Sequence, residues 1–128
     1  MIRKIVIIIL LVYGSYHGIK YLSETGKIEE YLDAHKDWKY IPVVYYNLGQ
    51  FNTIFSNWDN GISNYKKILK NYPDTQWAPK AQFGLAHLYD EKEDRKKAIE
   101  EYKKLIDLYP ESTDCNFSEK RIGVLKGY

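Results

Sequence analysis

The chain has 128 residues, enough for one small domain. Its 45% hydrophobic and 28% charged residues have the balance of a folded protein and exclude a disordered tail. The formal charge is +2, and without Arg3 and Lys4 the basic residues fall from 19 to 17 against 17 acidic ones, leaving no basic stripe for a nucleic-acid backbone.

The first element is apolar. Arg3 and Lys4 precede an unbroken run from Ile5 to Tyr13, and no charge returns until Lys20. As a helix the charge-free stretch spans about 22 Å, and extension to Leu22 with Lys20 reaching back to the interface gives about 27 Å. That suits a thin hydrocarbon core, with Ile5, Ile9, Val12 and Tyr16 inside the segment and aromatic rings toward its outer end. Residues 1–22 are therefore expected to be an uncleaved membrane anchor. A cleaved signal is the alternative, with Val12-Tyr13-Gly14 as its only tolerable processing site. In either case the positive start stays in the cytoplasm, and residues 23–128 face the periplasm or exterior.

The rest of the chain overlays on itself. A shift of 37 residues carries Pro42 onto Pro79, Leu48 onto Leu85 and Gly49 onto Ala86. It also carries Asn57 onto Asp94, Gly61 onto Ala98, Tyr65 onto Tyr102 and Tyr72-Pro73 onto Tyr109-Pro110. Size is kept where charge varies, as expected of packed positions separated by solvated ones. Each unit reads as two helices, from about Pro42 to Phe55 and Asp59 to Asn71, then Pro79 to Glu91 and Arg95 to Leu108. The first prolines suit a first helical turn, Asn57 and Asp94 suit N-caps, and Pro73 and Pro110 end the units. Gly49 and Ala86 are expected to face Gly61 and Ala98, with Tyr65 and Tyr102 filling the space beside them. Upstream, Ile28, Tyr31 and Leu32 align with Tyr65, Ile68 and Leu69, so a helix is expected from about Lys20 to Ala34, in continuation of the apolar segment. Downstream, Ile122-Gly123 repeats the Leu48-Gly49 step and places a last helix from about Asn116 to Lys126.

The order Leu48-Gly49, Asn52, Gly61, Tyr65, Ile68, Pro73 resembles one tetratricopeptide repeat. Leu85-Ala86, Tyr89, Ala98, Tyr102, Leu105, Pro110 resembles a second. The resemblance implies an all-α, short helix-turn-helix solenoid of about two and a half repeats, at 42–78 and 79–115, with half-repeats at both ends. The usual unit has about 34 residues. The additional ones here fall in Tyr72-Pro73-Asp74-Thr75 and Tyr109-Pro110-Glu111-Ser112, an extension similar to bacterial envelope repeat proteins of the outer-membrane assembly and Tol–Pal coordinator kinds.

In this family the first helix of each repeat lines a concave face. The resemblance puts Tyr46, Asn47 and Gln50 there, then Lys80, Phe83 and His87, then Lys120 and Arg121 on the last helix. Tyr46 and Phe83 share a repeat position, giving an aromatic ledge with Gln50 and His87 one turn on, a peptide-binding pattern. The alternative is that these rings only pack neighbouring repeats. A carboxylate clamp would need Lys and Asn where Tyr46 and Gln50 stand, so that activity is not expected. The implied function is a membrane-anchored scaffold or adaptor, an accessory subunit of an extracytoplasmic or membrane complex. Envelope assembly or division machinery, and a periplasmic peptide receptor or chaperone, are the alternatives. The end Val124-Leu125-Lys126-Gly127-Tyr128 is less polar than a dedicated cap, so self-stacking is a further expectation.

No chemistry is legible. His17, His35 and His87 form no metal-ligand spacing, and no phosphate loop or nucleophile motif occurs, so no enzyme, cofactor or metal is expected. The single cysteine, Cys115, reads as a small buried hydrophobe or as an intermolecular disulfide site.

Overall fold

The computed structural model describes residues 2–127; Met1 and Tyr128 lie outside the described residues. The described chain is all helical, in the order α1 (Ile2–Glu24), α2 (Lys27–Ala34), α3 (Ile41–Ile54), α4 (Trp58–Asn71), α5 (Trp77–Glu91), α6 (Arg95–Leu108) and α7 (Cys115–Leu125). It divides into two compact units, Met1–Trp38 and Lys39–Tyr128.

In the first unit α1 carries the apolar run, and Ile5, Ile9 and Val12 are exposed along it. The helix runs past the expected end at residue 22 as far as Glu24. The continuous helix expected from Lys20 to Ala34 does not form. Gly26 sits at φ 70, in the left-handed region that ends a helix. Its N–H donates to the Ser23 carbonyl at 3.3 Å, and the Thr25 hydroxyl donates to the Tyr21 carbonyl at 2.8 Å. These bonds satisfy the Tyr21 and Ser23 carbonyls in the last turn of α1, and α2 starts afresh at Lys27.

The second unit is the expected repeat stack. α3 packs on α4, α4 on α5, α5 on α6 and α6 on α7, and α3 also touches α5. The buried positions of α4 are Gly61, Asn64, Tyr65 and Ile68, and those of α6 are Ala98, Glu101, Tyr102 and Leu105, the same set 37 residues later. Their spacing of three and four residues puts them on one face of each helix.

The backbone repeats as faithfully as the core. Ser56 and Glu93, also 37 apart, both have positive φ, at 58° and 63°. After each, an N–H reaches back across the helix end, Asn57 to the Asn52 carbonyl at 2.8 Å and Asp94 to the Tyr89 carbonyl at 2.9 Å. Both turns are thus Schellman closures with a non-glycine residue in the strained position. Asp94 caps α6 by accepting from the Lys97 N–H, whereas Asn57 makes no cap bond to α4 and donates instead to Asn52 Oδ1 at 3.4 Å.

Glycines set the closest approaches. A Cβ at Gly49 would meet Tyr65 Cε1 at 2.6 Å, and one at Gly84 would meet Cζ of the same ring at 2.6 Å. Tyr65 is thereby held between α3 and α5. Gly61 differs from the simple expectation. Its closest neighbour is Leu88 of the following repeat, at 2.7 Å from a built Cβ, with the Gly49 carbonyl farther off at 3.5 Å. Each repeat also buries one polar bridge. Asn52 Nδ2 donates to Asn64 Oδ1 at 3.0 Å in the first, and Gln82 Nε2 donates to Glu101 Oε2 at 2.7 Å in the second.

Candidate interaction groove

Four of the eight expected partner-binding positions, Tyr46, Gln50, Phe83 and His87, line a groove of about 310 Å³ between α3 and α5. Tyr46, Gln50, Thr53 and Ile54 line it from α3, at the spacing that keeps side chains on one helix face. Phe83, Gly84 and His87 line it from α5, and Tyr65 of α4 closes the floor.

Tyr46 is half-buried, its ring 5.3 Å from Trp77 and 6.2 Å from Tyr65 by centroid. Gln50 Nε2 donates to the Tyr46 hydroxyl at 2.9 Å, which fixes both side chains along the wall. Burial pushes the Tyr46 phenol above its ordinary range, the Asp114 charge adds to that, and the Gln50 bond opposes it. The Tyr65 phenol is pushed up to about 12, mainly by burial. Both rings stay neutral at any physiological pH and act as hydrogen-bonding, not charged, groups. Phe83 stacks edge-on to Phe117 at 5.6 Å and lies 6.0 Å from Tyr102. His87 is exposed at the mouth, with Nε2 3.7 Å from Glu91 Oε1.

Four of the expected partner-binding residues are not part of this lining among the described residues. Asn47 is exposed, one position round the helix from Tyr46. Lys80 is exposed with its Nζ 4.7 Å over the Trp77 ring. Lys120 is exposed on α7. Arg121 is engaged: its Nε donates to Asp90 Oδ2 at 2.6 Å and its Nη2 to Asp90 Oδ1 at 2.9 Å. Tyr102 donates to the same carboxylate at 3.2 Å. The Arg121 hydrogen bonds hold the Asp90 carboxyl below its ordinary range, against the opposing effect of burial. Arg121 thus ties α7 to α5 and is not an open cation for an acidic ligand.

Two features of the site are absent from the sequence reading. Tyr65 was expected only as core filler, yet its ring, packed against Gly49 and Gly84, also lines the groove. Trp77, beside Tyr46, opens α5, and the 37-residue shift pairs it with Tyr40 upstream and Asp114 downstream, so the signal that could have found it is an aromatic shared with the preceding unit. Among the described residues no group of three or more His, Cys, Asp or Glu side chains is placed to hold a metal ion. Cys115 is half-buried, with its Sγ 3.3 Å from the Tyr109 carbonyl.

Residues 79–112 match the tetratricopeptide-repeat family model. The match covers α5 from Pro79 onward, α6 and the turn that follows. It supports a role in protein–protein interaction, the use to which such repeats are generally put. Comparison with curated proteins finds no match. On the apolar side, α1 is long and apolar enough to cross a membrane, a test that signal sequences also pass.

Proposed function

We propose that this chain is a membrane-anchored, extracytoplasmic scaffold or adaptor that grips a partner protein in the groove between α3 and α5, as an accessory subunit of a larger complex. The observation that carries this reading is the convergence of Tyr46, Gln50, Phe83 and His87, spaced one repeat apart, on a single open groove. Rigid aromatic walls with hydrogen-bonding groups at the rim give contact area at low entropic cost. The charge balance of the chain speaks against a nucleic-acid partner. α1 supplies the tether, with Arg3 and Lys4 on the cytoplasmic side.

Site-specific photocrosslinking in the native membrane tests the groove. Crosslinkers at Gln50 and His87 are expected to capture a discrete partner, and crosslinkers at the exposed Lys66 and Lys103 of the second helices are not. Capture only from the second helices would refute the reading. Orientation is tested with the single cysteine. A membrane-impermeant maleimide on intact cells is expected to label Cys115; labelling only after lysis would place the domain in the cytoplasm.

A second reading, a receptor or chaperone for short peptides, draws on the modest size of the groove. It predicts exchangeable ligands in place of a partner at fixed stoichiometry. Membership of envelope assembly or division machinery rests on the Tyr72-Pro73 and Tyr109-Pro110 extensions, and the identity of the captured partner would decide it.

A further inference from the structure

The first unit carries an aromatic surface that the groove does not use. Tyr31, His35 and Trp38 follow one another at helical spacing across the end of α2. The Tyr31 and His35 centroids are 4.4 Å apart, His35 and Trp38 4.7 Å, and Tyr31 meets Trp38 edge-on at 6.3 Å. A bond of 2.8 Å between His35 Nδ1 and the Tyr31 carbonyl oxygen fixes the central ring. The cluster is therefore ordered, yet Tyr31 and Trp38 remain 54% and 53% exposed. An ordered three-ring patch open to solvent calls for a second phase or a partner.

The chain path says which. α1 has 23 residues, about 34 Å of helix against a hydrocarbon core of about 30 Å. Its last turn therefore emerges at the membrane surface. Only Thr25 and Gly26 separate α1 from α2, a reach of at most about 7 Å. The left-handed Gly26 also prevents α2 from continuing along the axis of α1. α2 thus begins inside or against the headgroup layer, which is about 5–7 Å deep on each side. Tyr and Trp are favoured in that layer, where an apolar ring body meets a wet edge. From Lys27 to Trp38 the basic residues Lys27 and Lys36 face the acidic Glu29, Glu30, Asp33 and Asp37. Attraction to anionic lipid is therefore not the driving force.

We infer that the Tyr31–His35–Trp38 cluster is an interfacial membrane contact, seating α2 in the lipid headgroup layer by aromatic partition. This rests on the reading of α1 as a membrane span. The probe is phosphatidylcholine vesicles bearing a nitroxide on the lipid headgroup, with the full chain reconstituted into them. The fluorescence difference between the native chain and Trp38→Phe isolates Trp38 without disturbing Trp58 or Trp77. That difference signal is expected to fall at least about twofold with the headgroup nitroxide. If it does not fall while the chain survives an alkaline wash in the vesicles, the cluster lies in water or under protein. The inference is then overturned and the anchor stands. If the wash strips the chain from the vesicles, the anchor reading and the inference fall together.

Discussion

The two repeats share a backbone and differ in what fastens it. Ser56 and Glu93 take the same strained turn, and Gly61, Tyr65 and Ile68 bury the same surface as Ala98, Tyr102 and Leu105. The first repeat is fastened by neutral amides, Asn52 to Asn64. The second uses charge: Glu101 accepts from Gln82 and from Lys104, and Asp90 collects Tyr102 and Arg121. Side-chain volume is therefore what the fold demands at these positions, and the means of satisfying a buried polar atom is free to change. The difference also separates binding from structure. The position of Thr53, which faces the groove, becomes Asp90 in the second repeat and serves to hold α7.

Substitutions at equivalent positions break that comparison in graded ways. The largest effect is expected at Gly84, whose repeat equivalent is the exposed Asn47. Gly84→Ala drives a methyl into the Tyr65 ring and should cost about 2–3 kcal/mol in chemical denaturation, while Asn47→Ala should stay within about 0.5 kcal/mol. Equal effects would mean that the Tyr65 ring is not clamped.

Next comes the charged fastening. Asp90→Asn should cost about 1–2 kcal/mol at neutral pH, a modest figure because the Arg121 side chain is partly exposed and screened. The pH dependence has a definite sign. The folded Asp90 carboxyl titrates below its ordinary value of 3.8, so the native state binds that proton less readily than the unfolded chain. Its contribution is complete above that value and is lost as the pH falls through the depressed folded one. Melting curves between pH 5 and pH 2, a range of about three units, should converge for the native chain and Asp90→Asn as the pH falls. A gap that persists undiminished would remove Asp90 from the fastening.

The smallest effect is in the turns. Glu93→Gly and Ser56→Gly relieve a left-handed conformation and should each stabilise by up to about 1 kcal/mol, to similar extents. A gain at one site only would show that the turns are not equivalent.

Much of this was legible before any coordinates. The helix ends at Asn71, Glu91 and Leu108 fall where proline, caps and periodicity put them, because those signals act within a turn or two of the residue concerned. Tyr46, Gln50, Phe83 and His87 were legible as one surface because repetition fixes their register. The Asp90–Arg121 bond was not. Its partners are 31 residues apart in the chain, and their counterparts one repeat earlier, Thr53 and Gly84, carry no charge to suggest it. The break at Gly26 was overridden by the apparent alignment of Ile28, Tyr31 and Leu32 with the second repeat helix, although a glycine at a helix end was the stronger local signal.

The groove is tested most directly by comparing two double variants for retention of the partner in mild-detergent purification. Tyr46→Ala with Phe83→Ala removes both aromatic walls of the groove, and Lys66→Ala with Lys103→Ala alters the exposed side of the second helices. With helix content unchanged in both, the groove variant is expected to lose partner affinity at least about tenfold and the lysine variant to keep it. Loss in the lysine variant with full retention in the groove variant would contradict a concave binding face.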